Sequence, residues 1–102
     1  MNKRTKATSI SSKVRKEVKE RDKRCVICGE TWGLEIAHVF VNRSHGGLGI
    51  KENLALLCKK HHMLLDGGKQ REQIELRFRV EQYLRSLYGE IDIKRLKYDK
   101  WG

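Results

Sequence analysis

Apolar residues along this chain switch between a helical period and a strand period. Over residues 11–23, Val14 and Val18 stand four apart among lysines and arginines, the spacing of a helix with one narrow apolar face. Ser11 or Ser12 can cap its start. Residues 34–41 (LEIAHVFV) alternate in part and are rich in β-branched side chains, which predicts a strand. LALLC (54–58) is a short apolar run and predicts a second strand. A short helix is expected from about 59 to 66, ended by Gly67 as its C′ residue. Residues 69–88 carry Leu76, Val80, Tyr83, Leu84 and Leu87 at helical spacing, although Ile74, Leu76, Phe78 and Val80 also alternate as a strand would. The length of the segment favours a helix.

Between these elements lie RCVICG (24–29), a tight turn, and NRSHGGLG (42–49), whose three glycines predict a loop with unusual backbone angles. The first eight residues, MNKRTKAT, are polar and basic and predict a mobile arm. The last thirteen have no clear period, and Leu96, Tyr98 and Trp101 are available to pack back on the core. The resulting order is helix, turn, strand, loop, strand, helix, helix. That is an α+β chain with a ββα unit at its centre, flanked by a basic helix and a C-terminal helix. No repeat is visible.

Composition narrows this picture. The 102 residues suffice for one domain, and a domain so small has a thin stability margin that a bound metal would widen. No apolar run approaches the ~20 residues that span a bilayer, and the chain does not open on a signal-like segment, so a cytoplasmic protein is expected. The formal net charge is +10 and unevenly spread, with +7 in residues 1–24 and +3 in the other 78. Such crowding favours a polyanionic partner, because clustered cations release counterions from a phosphate backbone. A solvated surface is the plainer reading of any single lysine. A membrane surface fits less well, since no strongly amphipathic helix carries an aromatic face.

Cysteine and histidine are distributed more tellingly. All three cysteines and all four histidines fall between Cys25 and His62. Cys25-x2-Cys28, with Gly29 permitting the turn, presents half of a tetrahedral metal site, and Cys58-x2-His61 offers the other half. A redox role for Cys-x-x-Cys needs a βαβ context that this chain lacks. A closed Cys3His zinc site is expected, contributing folding energy on the order of 10 kcal/mol.

His38, His45, His62 and Asp66 remain. A helical residue advances roughly 100°, so Cys58 and His61 share one side of the short helix while His62 and Asp66, at i and i+4, face another. Asp66 lies in the last turn, where a carboxylate meets the negative end of the helix dipole. A bound cation would offset this, and so would pairing with Lys69 or Arg71; geometry leaves both readings open. Taken alone, His38 reads as a core histidine on a strand, and His45 as an exposed loop residue.

Four blocks in order, CVICG, LEIAHV, SHGGLG and ENLALLCKKHH, resemble the HNH endonucleases of the ββα-metal class, in particular the small zinc-clamped members of bacteriophages and bacteria. The resemblance covers roughly residues 25–67. It implies hydrolysis of a DNA phosphodiester with one catalytic divalent ion, Mg2+, Mn2+ or another. By this resemblance His38 is the general base, Asn53 fixes the loop behind it, and His62 holds the ion. Cys25, Cys28, Cys58 and His61 form the zinc clamp. His62 and Asp66 copy the spacing of the paired helix ligands in colicin-type members, where the second ligand is also histidine. Glu35 either orients a catalytic group or is an exposed strand carboxylate.

One position departs from the pattern. The residue before the base is usually a metal-binding Asp or His, and here it is Ala37. Asp66 would then take over that share of the coordination. Double-stranded DNA is the implied partner, with Arg15, Lys19, Arg43 and Lys51 as phosphate contacts. Phage-type members often sit beside DNA-packaging genes, which makes that machinery a further implied partner. The alternative is a non-catalytic zinc module that only binds nucleic acid.

Overall fold

The computed structural model describes residues 2–99, organised around one short antiparallel sheet. Strand β1 (Leu34–His38) pairs with β2 (Leu54–Cys58) in the register Leu34↔Cys58 to His38↔Leu54. Helix α1 (Lys3–Thr8) and helix α2 (Ser12–Asp22) precede the sheet; α3 (Lys59–Gly67) and α4 (Gln70–Tyr88) follow it. Single 3-10 turns occupy Arg43–His45, Lys51–Asn53 and Ile93–Leu96. Among the described residues no helix is long and apolar enough to cross a membrane.

Helices cover both faces of the sheet. Leu34 and Ile36 of β1, with Leu54 and Leu56 of β2, pack under Val14 and Val18 of α2. Ala37, Ala55 and Leu57 point the other way, onto Leu65 of α3 and Leu76, Val80 and Leu84 of α4. This explains why LALLC lacks alternation: every residue of β2 is buried because both of its faces are covered. The outer edge of β2 is also blunted. Asp22 accepts the Leu56 amide at 2.9 Å, and the Leu56 carbonyl accepts Val26 N–H at 3.1 Å.

The ambiguity in residues 69–88 resolves as a helix that buries Leu76, Val80 and Leu84 at successive i+4 steps. Ile74 and Phe78, which supported a strand, are about 60% exposed on the far side (59% and 61%).

The structure corrects four expectations. Residues 2–8 are not a free arm. Asn2 caps α1 by accepting Thr5 N–H at 2.7 Å, and the Ala7 carbonyl accepts Gly49 N–H at 3.0 Å. Strand β1 stops at His38: Val39 N–H still reaches the Asn53 carbonyl at 2.8 Å, but the amides of Phe40 and Val41 are taken by the Asn53 side chain rather than by a ladder. Gly67 is the last residue of α3, not its C′. In the loop 42–49 only Gly46 adopts a left-handed backbone (φ 88°); Gly47 and Gly49 answer to crowding instead. A Cβ on Gly49 would lie 2.2 Å from the Ser9 carbonyl oxygen, so this glycine is what lets the end of α1 cross the loop.

In the tail, Leu96 is buried and its carbonyl accepts Leu48 N–H at 2.8 Å. Tyr98 is half-buried, and Trp101 lies outside the described residues.

Candidate metal centre and adjoining cleft

Cys25 and Cys28 sit on a knuckle closed by Gly29 N–H donating to the Cys25 carbonyl at 2.9 Å, with Gly29 itself left-handed (φ 78°). β2 delivers Cys58 to the same place, and the first turn of α3 delivers His61. The three sulfurs and a His61 ring nitrogen all lie within 4.8 Å of one another, close enough to hold a metal ion. Cys28 Sγ is 3.8 Å from Cys58 Sγ, and His61 Nδ1 is 3.7 Å from Cys25 Sγ and 3.2 Å from Cys58 Sγ. Tetrahedral bonds of about 2.3 Å to sulfur place sulfurs about 3.8 Å apart, so the cluster has the edge length such a site needs.

Electrostatics favour ligation at Cys25 and His61 but not at Cys28. The Glu30 backbone pulls the Cys28 thiol down, but desolvation and the neighbouring Cys25 and Cys58 thiols outweigh it and raise the thiol. Burial alone would raise the Cys25 thiol, but the amides of Cys28, Cys58 and Ile27 outweigh it and the thiol sits below its ordinary value. Burial, with Lys60 and Arg79, lowers His61 and so favours the neutral imidazole that binds a cation.

A cleft of about 430 Å³ opens beside this centre, lined by His38 from β1, Arg43 and Ser44 from the loop, and His62 and Asp66 from α3. His38 comes from the α2-facing parity of β1 and His62 from the opposite side of the sheet. Their meeting in one cleft requires the ββα geometry and is not a local consequence of sequence.

His38 Nε2 lies 3.1 Å from the Thr8 carbonyl oxygen. A carbonyl only accepts, so Nε2 carries the proton and a neutral His38 keeps its lone pair on Nδ1. Burial lowers its pKa below the ordinary value, against the opposing pull of that carbonyl; Arg43 adds to the lowering and Asp66 offsets it.

His62 is held between two carboxylates. Its Nδ1 is 2.8 Å from Glu35 Oε1, and its Nε2 is 3.1 Å from Asp66 Oδ2. A neutral ring has one proton for two acceptors. With Nδ1–H given to Glu35, the shorter contact, Nε2 turns its lone pair toward Asp66 Oδ2, an arrangement that a bridging cation would satisfy. An octahedral ion with ~2.1 Å bonds separates adjacent ligands by about 3.0 Å, close to the observed edge. Glu35 is an exposed strand carboxylate that also contacts His62, the kind of partner a metal-binding histidine takes. Two ligand atoms are what His62 and Asp66 offer. Among the described residues, only the Cys25, Cys28, Cys58 and His61 group brings three or more together.

Asn53 is fully buried and is not among the residues that line the cleft. Its Oδ1 accepts Phe40 N–H (2.9 Å) and Val41 N–H (3.1 Å), while Nδ2 donates to the carbonyls of Val41 (3.1 Å) and Leu48 (3.0 Å). It staples the loop that follows His38 and has no lone pair to spare for a metal. Ala37 is buried opposite Ala55 in the sheet and presents no ligand.

The expected phosphate contacts do not converge. Arg43 lines the cleft, but Arg15 and Lys19 flank a separate hollow on α2, and Lys51 lies over the Tyr88 ring, 5.9 Å from its centroid. Arg21 of the basic helix turns inward. It forms two bonds to Asp22 (2.7 and 2.9 Å) and one to Tyr88 Oη (3.0 Å), and it donates to the carbonyls of Lys51 and Leu54. Tyr83 donates to the same Asp22, and its phenol is pushed up to about 12 by burial and by that bond.

Sequence reasoning missed Thr8, which acts through its carbonyl, and Arg77. Arg77 donates to the carbonyls of Val39 and Leu65 and so ties α4 to the end of β1 and to α3. His45 is exposed, as expected. Compared with protein-family models, curated proteins and solved structures, the chain finds no match in any of the three.

Proposed function

We propose that this chain is a zinc-stabilised, metal-dependent HNH endonuclease that hydrolyses phosphodiester bonds of double-stranded DNA. The reading rests on one observation above others: His38 and the His62–Asp66 pair, from opposite sides of the sheet, share a cleft with a cation, Arg43, at its wall. Zinc is the metal we assign to the Cys3His cluster, where it would join the knuckle to the first turn of α3.

The chain's own groups divide the work. Thr8 holds Nε2–H of His38, so Nδ1 is the atom that takes a proton from the attacking water, and its lowered pKa keeps it neutral near pH 7. Glu35 fixes the His62 ring, and Arg43 holds a phosphate oxygen at the rim. A divalent ion bound by His62 Nε2 and Asp66 would supply Lewis-acid stabilisation of the leaving 3′ oxygen.

Incubating supercoiled plasmid with wild type and His38→Ala, with Mg2+, Mn2+ or neither, tests the proposal. Metal-dependent cleavage reduced by about 10²–10⁴-fold in the variant is expected for loss of a general base. Equal cleavage by both proteins would remove His38 from the chemistry. A second reading, a non-catalytic zinc module that binds nucleic acid, is favoured by the buried, ligand-free Ala37. Duplex binding without cleavage under any metal would select it.

A further inference from the structure

Two chain ends, more than ninety residues apart in sequence, meet beside the cleft. Arg4 of α1 donates Nη2–H to the Ser44 carbonyl at 2.8 Å, and Ser44 is itself a wall of the cleft. On the same loop, the tail is pinned by its backbone: Gly47 bridges Lys97, and Tyr98 N–H donates to the Gly46 carbonyl at 2.7 Å. Arg4, Lys94, Lys97 and Tyr98, with Asp99, consequently line one open groove of about 530 Å³.

The geometry points to this groove as a phosphate-binding track for a nucleic-acid strand leaving the cleft, an assignment that rests on the nuclease reading above. Three cations face one acid, and the exposed Arg4, Lys94 and Lys97 stand on backbone held to the loop rather than on free tails. A fixed cation loses less entropy on meeting a phosphate than one on a mobile arm. Arg4 spends one N–H on Ser44 and keeps the rest of its fork for a phosphate oxygen. Tyr98, half-buried among them, can add a hydroxyl donor to the backbone or a ring face to a sugar. Arg4 in the groove bonds Ser44 in the cleft wall, so the two hollows are neighbours across that bond, and a strand whose phosphate sits against Arg43 would run on past Arg4 toward Lys97 and Lys94.

The test is the salt dependence of binding to a fluorescent 30-base-pair duplex, read by anisotropy without added divalent ion. Wild type is compared with the triple variant Arg4→Ala/Lys94→Ala/Lys97→Ala. A second variant, Lys94→Glu/Lys97→Glu, leaves the Arg4–Ser44 bond in place. A control removes two exposed cations at the start of α4, Lys69→Ala/Arg71→Ala.

Each lost phosphate contact lowers the slope of log K against log salt by about 0.9, so the triple variant should lose between about 2 and 3 and bind at least about tenfold more weakly at low salt. The charge reversal should bind more weakly than wild type as well, while the control changes little. If wild type binds duplex but the groove variants keep its slope, or the control loses as much, the groove assignment fails and the nuclease reading stands. If wild type shows no salt-dependent duplex binding, both fail. Competition by polyglutamate as effective as that by duplex, at equal charge concentration, would overturn the assignment to nucleic acid.

Discussion

Replacing Asn53 by alanine removes one carboxamide from a fully buried position and breaks four hydrogen bonds at once. The amides of Phe40 and Val41 lose the acceptor that took both of them, and water cannot reach the site without opening the loop. An orphaned buried donor costs about 1–3 kcal/mol, so two of them, with two carbonyls deprived of a donor, put the loss at about 3–5 kcal/mol. The total stability of a domain is only about 5–15 kcal/mol, so this is a large fraction of it. At about 4–8 °C per kcal/mol for a domain of this size, the melting midpoint should fall by at least about 12 °C.

The assay is thermal and urea denaturation of the metal-loaded protein, followed by circular dichroism. Asn53→Asp sharpens it. The aspartate keeps an acceptor for both amides but turns a second oxygen toward the carbonyls of Val41 and Leu48, and near neutral pH it should rescue little. A loss below about 1 kcal/mol for alanine, or wild-type stability for aspartate, would refute the bonding described here. The same variants should also impair plasmid cleavage, because the freed segment begins two residues after His38.

Chelating the proposed zinc, or changing its candidate ligand Cys58→Ser, should abolish cooperative unfolding, because a closed zinc site would contribute on the order of 10 kcal/mol, comparable with the whole stability of the domain; a cooperative melt surviving complete metal removal would count against it. Burial holds the His38 pKa below its ordinary 6.5, so protonation is opposed by the fold. Its contribution to stability is complete above 6.5 and is lost as pH falls through the lower folded value. Cleavage at saturating metal should hold its plateau down to pH 6.5 and lose activity only below it; an acid limb centred at or above 6.5 in kcat/KM would contradict the assignment of His38 as a buried neutral base.

Much of this fold is legible in the chain because its signals are carried by side chains. LALLC reads as a strand and is one at the same boundaries, since burial on both faces leaves an unbroken apolar run. The two half-sites Cys25-x2-Cys28 and Cys58-x2-His61 announce a metal centre by spacing alone, and the structure brings them together. What escaped reading is carried by the backbone or by tertiary exchange. Helix α1 docks through the carbonyls of Ala7 and Thr8, groups that every residue type possesses. Arg21 belongs to a run of cations, and nothing local shows that its guanidinium turns in to Asp22 and Tyr88. The role of Glu35 was half visible: it shares strand parity with Ala37, and so faces α3, but contact with His62 depends on how α3 lies.

The loop at residues 43–49 is held by bonds to residues 4, 7, 96 and 98. The ligands of the metal centre end at residue 61. All four candidate metal ligands therefore precede α4, while the loop beside the cleft is also fastened to residues 96 and 98. A chain truncated between Tyr88 and Lys97 would keep the four ligands and the core residues of α4 but lose those anchors and the groove beside the loop. Loss of the tail would thus uncouple the two parts of the molecule, leaving a metal-binding core whose cleft has a loose wall.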